Sequence, residues 1–272
     1  MSTSVSDNII SYFNFVVVAQ CSQGQKKYGV DDGGKYICEN LNINPTITIE
    51  KKLFDNINRE YQNGYEILSN MLNSHTLLYP DTNTLLIGGD HSLGISSVDF
   101  MIEKYKEKLS VLWIDAHADI NDHITTLSGN LHGMPLGYHH ISRSDKPHWR
   151  KNQYRLKSTQ LYYFGIRDLD PAEKELIEKE KIGYSNKIDI NLKKFIDDAE
   201  ILMISFDVDA LDPTYLDSTG CLAPDGLTPE DVNYIIKYSI EKNKLKHLDI
   251  MEFNPYLGDC MKSINAVKQI FV

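Results

Sequence analysis

Ser110-Val-Leu-Trp-Ile-Asp-Ala-His-Ala-Asp119 begins as an unbroken apolar run and ends on two aspartates and a histidine. A run without polar alternation is the pattern of a strand covered on both faces, as in a parallel sheet. A carboxylate at the end of such a strand is costly unless something compensates its charge. The same design recurs twice. Thr84-Leu-Leu-Ile leads into Gly88-Gly-Asp-His-Ser92, and Ile201-Leu-Met-Ile-Ser-Phe leads into Asp207-Val-Asp209. Working outward, the strand candidates are Phe15–Ala19, Thr84–Ile87, Ser110–Ile114, Gln160–Phe164, Ile201–Phe206 and Leu245–Met251.

Helical spacing fills the gaps. Lys51–Leu72 carries Leu53, Ile57, Tyr61, Tyr65 and Leu68 on one face, and Ile95–Tyr105 follows the Gly-Gly-Asp-His-Ser turn. Thr228-Pro-Glu-Asp231 is a helix start, with Thr as N-cap, Pro at the first position and an acid at N3, and the helix is expected to reach Lys242. Strands alternating with helices predict an α/β fold, a three-layer α/β/α sandwich. No repeat, low-complexity tract or linker interrupts residues 1–272, which are read as one domain.

Hydrophobic residues make up 42% and charged residues 24%, an ordinary globular composition. The net charge of −10 disfavours affinity for nucleic acid or an anionic membrane, both of which need basic patches. Cys21, Cys38, Cys221 and Cys260 lie far apart with no CxxC pair. That argues against a zinc ribbon or a disulfide framework and points to a reducing, cytoplasmic setting. The apolar run Phe15–Ala19 has no basic segment before it and is too short for a signal-peptide core or a membrane span.

Function concentrates at the strand ends, where open α/β sheets place their sites. Residues two apart on extended backbone point the same way, so Asp115, His117 and Asp119 can converge, as can Asp207 and Asp209. With His91 the set holds four carboxylates and two imidazoles and no thiolate. That exceeds what one tetrahedral zinc requires and suits two near-octahedral ions sharing carboxylates, with Mn²⁺ the natural candidate. Singly, each cluster reads as a helix-capping turn, a surface loop or a solvated histidine. Three of them, each ending a buried strand, are not loop decoration. Two such ions can hold a bridging water and present hydroxide to an electrophilic carbon. The target can be an amide, a phosphate or a guanidinium, and the ligands alone do not choose.

These residues resemble the ureohydrolase family, on Gly88-Gly-Asp-His-Ser92, Asp115-Ala-His-Ala-Asp-Ile-Asn121 and Ser205-Phe-Asp-Val-Asp-Ala-Leu-Asp-Pro213, and the likeness runs from Gly29 to about Leu257. The resemblance implies the arginase-like fold, a parallel eight-stranded sheet flanked by helices, with two Mn²⁺ per chain. By it, His91, Asp115, Asp119 and Asp207 would hold one ion, and Asp115, His117, Asp207 and Asp209 the other. Asn121–Pro135 (NDHITTLSGNLHGMP) and Gly165–Glu173 look like the arginase branch, which hydrolyses L-arginine to L-ornithine and urea. Asn121, Thr126, Ser128 and Asn130 would then bind the α-carboxylate, hydroxyl and amide donors that do not repel an anion. Asp170 and Glu173 would contact the α-amino group, although alone they read as helix N-terminal charges.

In the same resemblance His132 is the proton shuttle to the departing amine, a task suited to an imidazole. His123, His139 and His140 read as loop residues. Glu252, in Leu248-Asp-Ile-Met-Glu-Phe-Asn-Pro255, would pair with the guanidinium through charge-assisted contacts. In the implied mechanism the bridging hydroxide attacks the guanidinium carbon, and the proton reaches the leaving amine by way of Asp119 and His132. Homo-trimers or homo-hexamers are common in the family.

One stretch departs from the pattern. Members usually continue the Asp-Val-Asp strand with Thr-Gly-Thr-Pro…Gly-Gly-Leu-Thr, whereas here it reads Thr219-Gly-Cys-Leu-Ala-Pro-Asp-Gly-Leu-Thr228. Cys221 replaces a threonine and Asp225 a glycine, and losing a hydroxyl near the guanidinium would lower affinity or shift substrate preference. The chain also stops soon after its final helix, so family contacts made by a longer C-terminal tail are expected to be missing. Two rival readings stay open: a ureohydrolase for agmatine, guanidinobutyrate or formiminoglutamate, and a non-catalytic protein that binds the metals and arginine. The complete ligand set with His132 and Glu252 disfavours the second.

Overall fold

Strands form where the apolar runs were read, and they align in one direction. The computed structural model describes residues 8–55, 63–150 and 153–272. In chain order the regular elements are β1 Phe15–Ala19, α1 Gly33–Leu41, β2 Ile47–Ile49, α2 Lys52–Asp55, α3 Asn63–Leu78, β3 Thr84–Gly88, α4 Gly94–Tyr105 and β4 Leu109–Ile114. They continue with β5 Leu161–Phe164, α5 Pro171–Glu180, β6 Gly183–Ser185, α6 Ile190–Asp198, β7 Ile201–Asp207, α7 Pro229–Glu241, β8 Leu245–Met251 and α8 Cys260–Phe271. The eight strands make one sheet in the order β2-β1-β3-β8-β7-β4-β5-β6. Every pairing is parallel.

Alternate strand residues enter two separate cores, which is why the runs are apolar throughout. Val16, Val18, Leu85, Ile87, Leu112 and Ile114 pack with Ile37 of α1, Leu192 of α6, Ile235 of α7 and Val267 of α8. Phe15, Val17, Leu86, Val111 and Trp113 pack on the other face with Leu68 of α3, Val98 of α4 and Leu176 of α5. The result is the three-layer sandwich.

Two strands were not legible. β2 and β6 are the three-residue outer strands; two residues of β2 are exposed and one of β6 is, so neither shows a buried run. Of the long helix expected over Lys51–Leu72, Leu53 lies in α2, and Tyr65 and Leu68 lie buried in α3. Ile57 and Tyr61 fall outside the described residues. The predicted start of α7 forms a capping box: Thr228 Oγ1 accepts from Asp231 N (3.1 Å), and the Asp231 carboxylate accepts from Thr228 N (3.1 Å).

The topology positions the site. β3, β8, β7 and β4 are neighbours at the centre of the sheet although β8 and β7 come last in the chain. Register pairs Ile87 with Ile250, Asp207 with Met251 and Ile114 with Phe206, so the four strands end level. Whatever follows them is gathered at one crevice, where the chain crosses over between strands.

Candidate metal centre

His91 sits at the focus of that crevice. It follows β3 in a short 3-10 turn whose N-cap is Asp90, and its ring stacks on Trp113 at 4.3 Å. Ser205 Oγ donates to Asp249 Oδ2 (2.9 Å) and lies 2.9 Å from His91 Nε2, so Nε2 is the protonated nitrogen. That leaves Nδ1 facing three carboxylate oxygens, Asp115 Oδ2 at 3.1 Å, Asp119 Oδ2 at 3.2 Å and Asp207 Oδ2 at 3.1 Å. One proton cannot satisfy three carboxylates around a lone pair, whereas a cation among them would. His117 makes the second focus, with Nδ1 3.4 Å from Asp115 Oδ1 and 3.2 Å from Asp209 Oδ2. The ligand atoms of His91, Asp115 and Asp119 lie within 4.8 Å of one another, as do those of Asp115, His117 and Asp209.

Backbone donors fix the carboxylates. His117 N donates to Asp115 Oδ1 (2.7 Å), Asp209 N to Asp207 Oδ1 (2.8 Å), and Ala116 N to Asp209 Oδ1 (3.2 Å). Trp113 Nε1 donates to Asp115 Oδ2 (2.9 Å). Asp119 and Glu252 adopt positive φ, 51° and 67°, a region non-glycine residues enter at a cost. Both are held there: Leu136 N donates to Asp119 O (2.9 Å), and Glu252 N to Gly89 O (2.8 Å).

The cluster concentrates buried negative charge. Burial and neighbouring carboxylates lift Asp119, Asp207 and Asp209 above the ordinary aspartate range. For His91, burial opposes protonation but Asp115 and Asp119 outweigh it, and the ring is raised to about 9. His117 is raised by the same balance, burial against Asp209 and Asp115. Divalent ions would compensate that charge, and the hard-oxygen and imidazole donors fit such ions.

Beside the cluster lies a cavity of about 160 Å³, lined by Asn121, Thr126, Ser128, His132, Asp170, Glu173, Cys221 and Glu252 together with four of the metal-binding candidates, His117, Asp119, Asp207 and Asp209. Asn130 does not appear in this lining; its N–H donates to Ser128 Oγ (3.2 Å). Asp170 is the N-cap of α5 and Glu173 reaches back to its N–H (3.0 Å), so capping and cavity lining coincide in one pair. Asn121 Nδ2 also donates to Asp170 Oδ2 (3.0 Å). Burial pushes Glu173 up to about 7, against N–H donors from Asp170 and Ile120.

His132 Nδ1 lies 3.1 Å from Glu252 Oε1, which also accepts from His91 N (2.8 Å). Burial disfavours the imidazolium, yet this bond to Glu252 raises His132. His139 and His140 do lie in the loop as expected but are fully buried: His139 touches Ile95 O and Arg150, and His140 touches Ser158. His123 is exposed and pairs with Asp145.

The unusual segment 219–228 is clarified. Asp225 has φ of 60°, the left-handed region that a glycine would enter freely and aspartate tolerates better than most residues. Arg167 clasps the segment, donating to the carbonyls of Pro224 and Ala223 and to those of Asp209 and Leu211. Cys221 faces the cavity, and burial pushes its thiol up to about 11, so it stays protonated. Arg167, Ser205 and Gln25, whose Nε2 donates to Glu252 Oε2, were given no role from the sequence. Ser205 stands inside a quoted signature; Gln25 carries no charge or spacing that would have marked it.

A parallel α/β sandwich with a carboxylate–histidine cluster able to hold metal at its crossover point is the class of protein the geometry defines. The model of the Arginase family matches residues 14–271. The arginase of Entamoeba histolytica is 30% identical over 94% of this chain and 95% of its own length. That of Glaciozyma antarctica is 37% identical over 64% of this chain, and the match spans 55% of that protein. The crystal structure of the Entamoeba histolytica arginase in complex with L-ornithine superposes with a TM-score of 0.77 at 24% identity, covering 95% of this chain and 99% of the other, which shows the shared fold. The chain belongs to the arginase family.

Proposed function

We propose that the chain hydrolyses L-arginine to L-ornithine and urea at a binuclear Mn²⁺ centre. The observation that carries this is the meeting, in one cavity, of His117, Asp119, Asp207 and Asp209 with Glu252, His132, Asn121, Thr126 and Ser128, while His91 and Asp115 touch those candidates from the buried side. His91, Asp115, Asp119 and Asp207 would hold one ion and Asp115, His117, Asp207 and Asp209 the other. When bound, the ions supply a water that ionises near neutral pH to serve as nucleophile. Glu252 takes the guanidinium in a charge-assisted contact and orients its carbon. Asn121, Thr126, Ser128 and Asn130 receive the α-carboxylate, and Asp170 and Glu173 the α-ammonium. As water adds to the guanidinium carbon, Asp119 accepts its proton, and the bond from that carbon to the ornithine nitrogen breaks. His132, whose protonated form Glu252 favours, supplies the proton that the departing amine takes up.

A second reading has one observation in its favour: Cys221 lines the cavity where a hydroxyl would be expected. It makes the chain a ureohydrolase for a guanidino or formimino compound other than arginine. Urea or formamide release from Mn²⁺-loaded protein, measured with arginine, agmatine, guanidinobutyrate and formiminoglutamate side by side, decides. Arginine is expected to be turned over fastest; a clear preference for any of the others sinks the arginine reading.

A further inference from the structure

The segment from Gln20 to Tyr28 lies outside every signature, yet it reaches the cavity at two points. Gly24 O accepts from His132 N (3.2 Å), and Gln25 Nε2 donates to Glu252 Oε2. The segment is anchored on Asp90, the buried carboxylate of the Gly-Gly-Asp-His-Ser turn that the metal assignment leaves unused. Gly24 N donates to Asp90 Oδ2 (2.8 Å), and Asp90 N donates to Cys21 O (3.0 Å). The approach is too close for side chains: a Cβ on Gly24 would lie 2.2 Å from Asp90 Oδ1, and one on Gly89 1.8 Å from Cys21 O. On the far side Lys27 Nζ donates to Gly220 O, next to Cys221.

We propose that Gln25 is a positioning residue of the guanidinium site, fixing the Glu252 carboxylate through Oε2. The inference rests on Glu252 being the guanidinium partner. Oε1 is committed to His91 N (2.8 Å) and His132 Nδ1 (3.1 Å), so Oε2 is the oxygen whose orientation Gln25 decides. A carboxylate oxygen has two lone pairs, and the guanidinium shares Oε2 with the amide. A neutral donor is the right holder. It sets the plane of the carboxylate without cancelling the charge that attracts the substrate, which a lysine or arginine in its place would do.

The test uses the full, Mn²⁺-loaded chain with three substitutions. Gln25→Ala and the volume-conserving Gln25→Met raise the KM for arginine about three- to tenfold, the size expected for the loss of one hydrogen bond that orients the carboxylate without touching the substrate. In both, kcat stays within about twofold, because the contact is equal in ground and transition states. Gln25→Lys raises KM further. The inhibition constant of L-ornithine, which has no guanidinium, is unchanged in Gln25→Ala and Gln25→Met, whereas a merely structural role for Gln25 moves it in parallel with KM. An unchanged KM, a parallel shift of KM and ornithine inhibition in Gln25→Ala or Gln25→Met, or a Gln25→Lys variant that binds arginine as well as the wild type overturns the proposal. Glu252→Gln run alongside separates it from the reading beneath. If that variant weakens arginine while the Gln25 variants do not, the positioning role alone falls; if it leaves arginine binding intact, both fall.

Discussion

The carboxylate–histidine cluster and residues 121–128 both contribute to one cavity, but the cluster is sunk in the sheet whereas the tip of the segment stands in solvent. Asp115 and His91 are buried, whereas Ile124 and Leu127 are 71% and 77% exposed. Beside local bonds such as Asp209 N to Asp207 Oδ1, the cluster is shaped by bonds between residues far apart in the chain, Ala116 to Asp209 and His91 to Glu252. Those that shape the tip of the segment, from Ile124 to Asn130, are local: Gly129 N to Thr126 Oγ1 (3.1 Å), Asn130 N to Ser128 Oγ (3.2 Å), and Ile124 N to Asp122 Oδ1 (3.1 Å). The geometry of the cluster therefore depends on the whole sheet, and that of the segment's tip on a few turns. Substitutions should be severe and delocalised in the first region and graded in the second.

The sharpest way to break that contrast is His91→Ala. It removes the nitrogen around which three carboxylates converge. Metal analysis should show one ion lost per chain, with activity down by more than about a hundredfold, beyond the loss usual for outer partners of a metal ligand. Two full equivalents retained would mean that the ligand assignment is wrong. Arg167→Ala comes next. Its guanidinium ties the segment carrying Cys221 to the carbonyls beside the Asp207–Asp209 strand end. Leaving those carbonyls without their charged donor should cost about 2–4 kcal/mol in chemical denaturation. A variant of wild-type stability would show that the segment is held some other way.

What the sequence revealed follows the same division. The six central strands were legible because both faces are buried, which leaves a continuous apolar run in each. The ligand candidates were legible because a carboxylate ending such a run is anomalous. β2 and β6 left no mark, since three residues at a sheet edge have neither a run nor a period. Gln25 left none either. Its amide meets Glu252 across 227 positions of chain, and a neutral side chain in an irregular loop has no local signature of that encounter. The same holds for Arg167, whose acceptors are all backbone carbonyls and so carry no residue identity.

Glu173 tests the border between the two regions by pH. Burial raises its carboxyl to about 7, so it is ionised above that pH and neutral below it. If the ionised form pairs with the α-ammonium, the KM for arginine should fall as pH rises through about 7. Glu173→Gln should remove that step and leave KM about tenfold higher at pH 8, the scale of one charge-assisted contact. A step that survives in the variant assigns the titration elsewhere.

The smallest effect belongs to the exposed rim. Ser128 presents a hydroxyl that already accepts Asn130 N–H and is open to water. A contact made there with the α-carboxylate replaces one made with solvent, so its net contribution is small. Ser128→Ala should raise the KM for arginine only about two- to fivefold, with kcat and metal content unchanged. Losses approaching those of His91→Ala would mean that the rim is coupled to the sheet-bound cluster. The local bonds of residues 121–130 would then not be what sets its geometry, and the contrast between the two regions would fail at the point where the structure draws it most plainly.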